Sequence, residues 1–517
     1  MKNIQIKISP KDLDNTEIIK KEISKKLKLK EEFDFKIVKK SLDARKRPPF
    51  FLLSIDIYTK NDKKIPEKNI IDSFFKVNED KKVIIVGAGP AGYFCALELI
   101  EQGIKPVIFE RGKDVNARRY DLRAIQQEGI VNPDSNYCFG EGGAGTYSDG
   151  KLYTRSTKRG DVYKVLKLLV EHGAKEDILI EAHPHIGSNK LPIIVKNIRE
   201  TIIKFGGEVH FNSKVTDFLI ENKKIIGVKV GDKKYFSDAV ILATGHSSRD
   251  IFYLLRDKNI KVEFKPFAMG VRIEHEQKLI DKLQYGQEER ELNLPASNYS
   301  LVCQVEGRGV FSFCMCPGGF IVPSSTAPEE LVLNGMSLSK RDSKYANSGL
   351  VVSIEKEDLK SYEQYGEFAG LELQKEVEKK MFLAGDKKTQ KAPAQRVIDF
   401  INNKISESLP KTSYIPGIYS APLHEIIPVN IRKRLQEGLK EFDKKMKGYI
   451  NENAQIIAIE SRTSSPIRIP RNIDNLEHIE IENFYPCGEG AGYAGGIVSA
   501  AIDGQNCAKA FCDKIKK

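Results

Sequence analysis

Residues 81–112 read KKVIIVGAGPAGYFCALELIEQGIKPVIFERG. The apolar run at 83–86 predicts a buried strand, and the glycines after it form the pattern G-x-G-x-x-G at the start of a helix predicted over 90–102. A second strand is predicted over 106–109 and ends at Glu110. Strand, glycine pattern, helix, strand and acidic residue follow one another in the order of a βαβ unit that binds a dinucleotide.

The glycine pattern gives each of its members a separate task. Gly87 permits a tight turn, Gly89 lets the backbone approach a pyrophosphate, and Gly92 lets the helix pack closely on the strand. The N–H groups at the helix start then bind phosphate. Glu110 stands about 20 residues further on, where a carboxylate accepts hydrogen bonds from ribose hydroxyls. The predicted cofactor contacts of this turn are Gly87, Ala88, Gly89, Pro90, Ala91 and Gly92.

Length and cysteine usage narrow the class of protein. The 517 residues leave room for two to four domains. No apolar run approaches the ~18 residues of a membrane span, and MKNIQIKISP at the start lacks the apolar stretch of a signal peptide, so we expect a cytoplasmic protein. The eight cysteines show no C-x-x-C pair or zinc-ligand spacing, and His183 and His185 flank a proline with no acidic cluster nearby. We therefore expect free thiols and no metal site.

Half of the net positive charge lies in the first 80 residues. The formal net charge is +12, and residues 1–80 carry +6, with 20 Lys and Arg against 14 Asp and Glu. A basic loop at 39–49, KKSLDARKRPP, lies between strands predicted over 33–38 and 50–58. Such a loop can contact RNA or a partner, but a charged hairpin connection is favoured because the lysines are scattered among acids. We do not expect nucleic acid as a partner.

The patterns divide the chain into four segments. Residues 1–78 predict a small N-terminal α+β domain, 79–264 the first part of the dinucleotide-binding domain, 265–471 an inserted domain, and 472–517 the return of the chain to the first domain. The inserted domain is expected to be rich in strands in its first half and helical over 363–445. Its polar clusters would line a cleft at the domain boundary, where small-molecule sites often lie. These clusters are KPFAMGVRIEHE at 265–276, FSFCMCPGG at 311–319 and RTSSPIRIPR at 462–471.

Three further stretches suit a bound nucleotide. YCFGEGGAGTYSDGKL at 137–152 has five glycines, which let a backbone wrap closely around a flat ligand. Strands are predicted over 208–217, 224–230 and 235–243, and the last ends in small residues that let the chain cross beside a nucleotide. GEGAGYAGG at 488–496 precedes an apolar helix. The predicted contacts are Gly143, Gly145, Thr146, Ala243, Thr244, Gly245, Gly488, Glu489, Gly496 and Ile497.

The distance between these stretches favours FAD over NAD. A nicotinamide dehydrogenase usually continues with further alternating strands and helices, whereas here the second half of the site follows some 400 residues after the first. That separation suits FAD, whose long body crosses a domain. The helix that begins at Ile497 would then stabilise negative charge on the reduced flavin ring.

The same residues carry a resemblance to a known group of proteins. Residues 87–111, 243–245 and 488–496 resemble the three FAD-contacting segments of the glutathione-reductase-type flavoprotein superfamily. More narrowly, FGEGGAGTYSDGKL, ATGHSSRD, KPFAMGVRIEH, FSFCMCPGG, APAQRV, RTSSPIRIPR and YPCGEGAGYAGGIVSAAIDG resemble a family of largely uncharacterised bacterial FAD-dependent dehydrogenases. The resemblance covers nearly the whole chain. It implies an α/β fold in which a Rossmann-like FAD-binding domain is split by an inserted α+β domain, after a small N-terminal α+β domain.

The resemblance also implies roles for single residues. Arg111 would lie near the adenine, and Val215, in the strand VHFNSKVTDF, would meet the adenine through its backbone. Gly488, Glu489 and Ile497 would approach the ribityl chain and the flavin ring. Glu489 stands where disulfide reductases of the superfamily carry an aspartate, which is one methylene shorter.

Hydride transfer between the flavin and a small organic substrate is the leading hypothesis. Reduced NAD(P) would dock transiently, or an electron-carrier protein would serve, because no second dinucleotide pattern is present. Arg272, His275 and Arg462 are candidates for holding an anionic substrate or moving protons, with structural ion pairs as the equal alternative. Cys138 is the fourth catalytic candidate, although it has no second cysteine nearby in sequence to form a redox pair. Cys314 and Cys316 form a C-x-C pair, for which two buried thiols are favoured over a redox dithiol.

Two other functions stay open at this point. The basic N-terminal segment suits an FAD-containing protein that binds or modifies RNA. A flavin sensor without turnover is the third possibility.

Overall fold

The N-terminal unit of the chain is a three-stranded sheet with one helix. In the computed structural model, which describes residues 2–28, 32–59, 62, 68–154 and 158–516, this unit contains β1 (Lys2–Ile8), α1 (Thr16–Leu27), β2 (Asp34–Asp43) and β3 (Phe50–Tyr58). The strands pair antiparallel in the order β1-β3-β2. Their apolar face forms a small core that also takes in Tyr285 and Leu294, so the unit packs against a later part of the chain.

The next elements form a parallel sheet with its crossovers and an attached antiparallel sheet. They are β4 (Lys82–Val86), α2 (Pro90–Glu101), β5 (Lys105–Phe109), α3 (Val115–Gln127), α4 (Val162–Glu171), α5 (Leu191–Lys204), β6 (Glu208–His210), β7 (Val215–Glu221), β8 (Lys224–Val230), β9 (Lys233–Phe236), β10 (Ala239–Leu242) and α6 (Arg249–Asp257). Strands β7, β8 and β9 form an antiparallel sheet of their own. The βαβ unit predicted over 81–112 is therefore present as β4, α2 and β5.

A second, larger sheet follows. Its region contains β11 (Glu263–Phe264), β12 (Phe267–Glu276), α7 (Gln277–Tyr285), β13 (Val302–Val305), β14 (Arg308–Cys316), β15 (Gly319–Pro323), β16 (Leu333–Ser337), β17 (Tyr345–Ile354), α8 (Ala369–Leu383), β18 (Ala392–Arg396), α9 (Val397–Ile401), β19 (Ile418–Ser420), α10 (Leu423–Ile426), α11 (Val429–Lys445), β20 (Gln455–Glu460) and β21 (Ile467–Arg468). Seven strands run in the order β13-β14-β17-β12-β20-β18-β19. All neighbours are antiparallel except β18 and β19.

The chain then returns to the first sheet with β22 (Phe484–Pro486) and α12 (Ile497–Lys516). Five strands pair in parallel in the order β22-β10-β4-β5-β6, so the last strand of the chain lies beside β10. Helix α12 packs along α2 so closely that a Cβ at Gly504 would lie 2.0 Å from the carbonyl oxygen of Ala91. The predicted α/β fold with a Rossmann-like sheet is confirmed.

Two secondary-structure predictions are wrong. The strand expected over 208–217 is broken into β6 and β7, because Asn212 between them adopts a left-handed conformation with φ +50°. The region expected to be helical over 363–445 is interrupted by β18 and β19, which complete the edge of the seven-stranded sheet. No helix within the described parts of the chain combines the length and the apolarity needed to span a bilayer.

Candidate functional site

One cavity joins the glycine pattern to the polar clusters of the second sheet. It has a volume of about 410 Å³, and its wall includes Gly89 at the start of α2, Gly488 after β22, and Glu460 at the end of β20. A larger cavity of about 780 Å³ lies between Arg47 of the N-terminal unit and Lys282 of α7, but none of the glycine-rich stretches lines it. The cavity at the glycine pattern is therefore the candidate site.

The three glycines of the pattern occupy different environments. Gly87 has φ +106°, and a Cβ there would lie 2.5 Å from the carbonyl oxygen of Ala243. A Cβ at Gly92 would lie 2.0 Å from the carbonyl oxygen of Gly87. Gly89 lines the cavity, and a Cβ there would have no atom within 4 Å. Gly87 and Gly92 thus allow close packing, and Gly89 leaves open space at the start of α2.

Glu110 organises the loops around the glycine turn. Its buried carboxylate accepts hydrogen bonds from the backbone N–H groups of Ala88, Gly112 and Gly140, each at 2.9 Å. A carboxylate has about four acceptor positions, so one more is available to a ligand. Glu110 also lines the cavity, as the ribose contact predicted from the sequence requires.

The next part of the wall is built from the ends of neighbouring strands. The Arg111 guanidinium lies over the Phe139 ring, 4.4 Å from its centroid, and its Nη2 donates to Asp250 at 2.6 Å. Val215 begins β7 and lines the cavity together with Arg111. Ala243, Thr244 and Gly245 line it after the end of β10.

The glycine-rich loop lies across the starts of two helices. A Cβ at Gly143 would be 3.3 Å from the Cα of Gly89, and a Cβ at Gly145 would be 3.2 Å from Cγ1 of Ile497. Both glycines line the cavity. Thr146 does not, because its buried hydroxyl donates to the carbonyl oxygen of Glu141 at 2.9 Å.

The C-terminal stretch closes the wall next to α12. Gly488 has φ +75°, and its N–H donates to Asp503 at 2.7 Å. Glu489, Gly496 and Ile497 also line the cavity. Sixteen of the nineteen cofactor residues predicted from the sequence therefore line one cavity. The other three, Ala88, Gly92 and Thr146, lie directly behind its wall.

Charged and sulfur-containing side chains gather at the end of the cavity formed by the second sheet. Lys151, which ends the glycine-rich loop, keeps 37% of its side-chain surface accessible and lines the cavity. Its Nζ lies 3.0 Å from Asp149 and 3.9 Å from the sulfur of Cys314. Asp149 also pairs with Arg341, and these two cations hold the pKa of its carboxyl well below the usual range. Lys151 and Asp149 thus form an ion pair in the cavity wall.

Glu460 is the acid in this cluster whose pKa lies close to neutral pH. It is buried, and its Oε2 accepts from Nη1 of Arg272 at 3.1 Å. Burial and the nearby Cys314 raise the pKa of Glu460 to about 7, although Arg272 opposes that shift. Both protonation states of Glu460 are therefore populated at neutral pH.

Arg272 and His275 lie behind the wall and not in the cavity. Arg272 is completely buried, and its Nη2 donates to the carbonyl oxygen of Cys314 and to Asn347. His275 packs on Tyr449, its Nε2 lies 2.8 Å from the Tyr449 carbonyl oxygen, and burial lowers its pKa to about 4. The structure does not bring either side chain to a ligand. The residues of strand β12 from Phe267 to His275 are all buried, so both faces of this strand are covered. The sequence of one strand does not show that its polar side chains will be covered by other elements.

Arg462 and Cys138 do line the cavity. The guanidinium of Arg462 is already engaged, since it donates to Glu378, Glu330 and Thr326. This is the structural ion-pair alternative for Arg462. The sulfur of Cys138 lies 3.4 Å from the Ser247 hydroxyl.

The residues that the sequence did not single out are Lys151, Glu460 and His246. His246 Nδ1 lies 3.6 Å from Glu489, and both line the cavity. Glu460 had one usable signal, because it is the single acid at the end of the apolar strand QIIAIE. Lys151 follows the glycine-rich loop directly, but nothing local shows that a strand 160 residues later lies against it.

A possible metal cluster has a different explanation. Among the described residues, Cys487, Asp503 and Cys507 offer ligand atoms within 4.8 Å of one another. The Arg471 guanidinium occupies this place, with Nη2 2.6 Å from Asp503 and Nη1 3.5 Å from the sulfur of Cys507. A cation already neutralises the carboxylate, so the cluster is an ion pair that fixes Asp503 under Gly488.

Comparison with known proteins assigns the chain to a family. Residues 266–463 match the family model "FAD-dependent protein, C-terminal domain-like", residues 81–277 match "Pyridine nucleotide-disulphide oxidoreductase", and residues 1–58 match a domain of unknown function. An uncharacterised protein of Clostridium beijerinckii is 41% identical over an alignment of 521 positions, which covers 97% of each chain. The chain belongs to this family of FAD-dependent proteins.

More distant matches include flavin-dependent proteins. The flavin-containing monooxygenase FMO GS-OX-like 9 of Arabidopsis thaliana is 26% identical over 182 residues, covering 33% of this chain and 38% of that protein. A solved structure of CtdE in complex with FAD and substrate 4 aligns with a TM-score of 0.37 at 12% identity over 85% of this chain and 82% of that one, too distant to inform the site. This FAD-dependent protein is thus related to flavin oxidoreductases and monooxygenases, and its cofactor is FAD.

The cavity fits FAD by its own geometry. Cβ atoms at Gly89 and Gly245 would meet no atom within 4 Å, and both residues line the cavity, so two backbone segments leave room for close approach of a ligand. Helix α2 starts at Gly89 without a side-chain cap, which leaves its first N–H groups free for a pyrophosphate. Gly87, Gly89, Glu110 and the 488–497 segment are the residues that would hold FAD.

Proposed function

We propose that this FAD-dependent protein transfers hydride between its flavin and a small organic substrate bound at the Lys151, Cys314 and Glu460 end of the cavity. The observation that carries the proposal is the continuity of one cavity. The glycine pattern lines it at one end, and a buried acid with a pKa of about 7 lines it at the other. Bound FAD supplies hydride acceptance or donation at its ring, and the chain's own residues supply orientation and protons.

Glu460 is the proton-transfer group in this proposal. A group whose pKa lies near the working pH is efficient as a general acid or base. Oxidation of a substrate alcohol or amine would place a proton on the Glu460 carboxylate, and reduction of a carbonyl or imine would take a proton from its acid form. Arg272 holds the carboxylate at 3.1 Å and acts as a positioning residue.

Lys151 is the cation that can meet a polar group of the substrate. Its side chain keeps 37% of its surface accessible in the cavity wall, and its ammonium is bonded to Asp149 and to the Met315 carbonyl oxygen. Arg462 is buried, and its donors are used by Glu378, Glu330 and Thr326. A carbonyl or carboxylate oxygen would accept from Lys151 and be held beside Glu460. The substrate class we propose is therefore a small molecule that carries such an oxygen next to the carbon that gains or loses hydride.

Several wider expectations remain part of this proposal. Membership of the glutathione-reductase-type superfamily, a cytoplasmic location, NAD(P)H as a transient donor and an electron-carrier partner all stay predictions. The RNA alternative rests on the basic loop, where Arg45 pairs with Asp43 and Arg47 lies against Gly286 and the carbonyl of Leu283. Those contacts add no support to RNA binding. No contact specifically favours a sensor without turnover.

The test is rapid mixing of the oxidised holoprotein with NADH, NADPH and a panel of small hydroxy acids, amino acids and alcohols under anaerobic conditions. The proposal expects at least one donor to bleach the flavin absorbance in a saturable phase, and a second substrate to restore it. A holoprotein that contains FAD but is reduced neither by a nicotinamide nor by any of the small organic compounds would contradict the proposal and favour a sensor.

A further inference from the structure

Cys314 and Cys316 lie at the end of β14, where the strand reaches the cavity. Met315 between them is buried in the core of the second sheet. The sulfur of Cys316 lies 3.3 Å from the carbonyl oxygen of Cys314, so the two cysteines are in contact. Cys314 lines the cavity, and Cys316 lies behind it with no accessible surface. One partly accessible and one enclosed cysteine thus lie next to each other.

The backbone at this point is distorted. The register between β14 and β17 shifts between Phe313 and Cys316, and Cys314 adopts φ +43°. An L residue with a side chain rarely takes this left-handed conformation. Such departures cluster where a side chain must be aimed at a functional site. Here the aimed side chain is the thiol of Cys314.

The charges around the pair distinguish its two sulfurs. The thiol of Cys316 donates to the carbonyl oxygen of Cys314 at 3.3 Å, and Lys151 Nζ lies 3.9 Å from the sulfur of Cys314. The neighbouring Cys316 thiol, Lys151 and Arg272 lower the pKa of Cys314 below that of an ordinary thiol, and the same pairing raises the pKa of Cys316. Asp149 and Glu460 are the acids that face the pair and oppose this effect.

We propose that Cys314 and Cys316 form a redox-active dithiol in the wall of the FAD cavity, with Cys314 as the reactive thiolate and Cys316 as its resolving partner. This pair would be a second reaction centre of the protein, with disulfides or persulfides as the class of substrate that it exchanges with. Lys151 is a positioning residue for Cys314. This reverses the preference for two inert buried thiols that the sequence alone favours.

The electron balance requires no further reagent. Oxidation joins the Cys314 thiolate sulfur to the Cys316 sulfur, breaks the Cys316 S–H bond and releases two electrons and one proton. FAD held by Gly89, Glu110 and the 488–497 segment would supply the acceptor for both electrons and that proton. The reverse reaction restores the thiolate and the thiol. A disulfide substrate would likewise accept the two electrons after attack by Cys314 and resolution by Cys316.

The inference rests on the proposed function only in placing FAD in this cavity, and its test needs no turnover. The holoprotein is equilibrated in glutathione redox buffers, quenched in acid, denatured and labelled with N-ethylmaleimide, and the peptide with Cys314 and Cys316 is weighed. We expect a two-electron transition as the buffer becomes more oxidising. The peptide should change from one that carries two labels to one that carries none and whose mass is two hydrogens below that of the unlabelled dithiol peptide. The Cys303→Ser control, which changes a partly exposed thiol on neighbouring β13, should retain this transition.

Two variants distinguish a redox-active pair of cysteines from two thiols with a structural role only. Cys316→Ser should abolish the transition and lower reductive uptake of the oxidised holoprotein from four electrons per FAD to two, with an unchanged flavin content. Lys151→Met should slow labelling of Cys314 at pH 6 about tenfold, because less thiolate is present. A wild-type peptide that carries two labels in the most oxidising buffer, or a labelling rate unaffected by Lys151→Met, would overturn the proposal even if hydride donors reduce the flavin.

Discussion

The two ends of the cavity are built in opposite ways. The end at the start of α2 is made of backbone, with glycines that leave space and Glu110 bound to three N–H groups from neighbouring loops. The end at the second sheet is made of side chains, with Glu460, Lys151 and Cys314 brought together from segments far apart in sequence. In the proposed function, the first end would bind the cofactor through its shape, and the second end would supply protons and charge. Changes at the two ends should therefore have different effects.

Glu460→Gln should have the largest effect. The amide keeps the shape but cannot exchange the proton, so flavin reduction by a substrate, measured by rapid mixing, should slow about 10³-fold, within the range of a lost general acid or base. Substrate oxidation by the wild type should rise with pH through about 7 and substrate reduction should fall, since oxidation needs the carboxylate and reduction needs the acid form. FAD content should not change. A variant that keeps the wild-type rate and pH profile would remove Glu460 from the reaction.

Gly89→Val should act at the other end. The side chain enters open space in the cavity, so the protein should fold while its affinity for FAD falls about 100-fold, equivalent to about 3 kcal/mol. Equilibrium dialysis of the apoprotein with FAD measures this loss. Gly309→Ala is a matched control, because a Cβ there meets its nearest atom at 3.6 Å outside the cavity. If Gly89→Val bound FAD as tightly as the control, the glycine end would not be the cofactor site.

Arg272→Met should shift the pH dependence rather than abolish the reaction. Arg272 opposes the upward shift of the Glu460 pKa, so its loss should move the midpoint of the pH profile upward by about one unit or more. Loss of a buried ion pair also lowers the free energy of unfolding by about 3 kcal/mol, measurable by urea denaturation. The control is Arg434→Met on α11, which breaks the pair of Arg434 with Asp358, and neither of these residues lines the cavity. The control should lose stability and keep the wild-type midpoint of the pH profile. If Arg272→Met had the same midpoint as the control, Arg272 would have no role in setting the pKa of Glu460.

His275→Gln should have the smallest effect on activity. The imidazole is neutral and bonded to the Tyr449 carbonyl in the core, so the change should lower the free energy of unfolding by about 1 kcal/mol and alter the rate less than twofold. Thermal unfolding and the rapid-mixing assay check the two parts. A large loss of rate with intact stability would return His275 to the list of catalytic residues.

The contrast between the two ends also explains what the sequence could reveal. The glycine pattern is local, because each glycine is needed by its own turn or close packing. Gly87, Gly89 and Glu110 could therefore be predicted as cofactor contacts from the sequence, and all three line the cavity. The stretch at 488–497 could also be predicted as part of the cofactor site, because it too has glycines directly before an apolar helix.

The side-chain end has no such local signal. Lys151 and Cys314 meet only because the glycine-rich loop lies against the end of β14, and Glu460 joins them through the pairing of β20 with β12. Arg272 and His275 stand in one polar cluster of the sequence, yet the seven-stranded sheet buries them behind the wall. Long-range strand pairing decides which polar residues reach a ligand, and periodicity along one strand does not contain that information.

The most direct test of a cavity shared by FAD and Glu460 is a pH titration of the visible spectrum of the purified holoprotein between pH 5 and 9. A carboxyl that changes charge beside the flavin should shift its absorbance with a midpoint of about 7 in the wild type and in His275→Gln, and the shift should vanish in Glu460→Gln. A spectrum that does not respond to pH in the wild type, or a shift that survives in Glu460→Gln, would contradict the account.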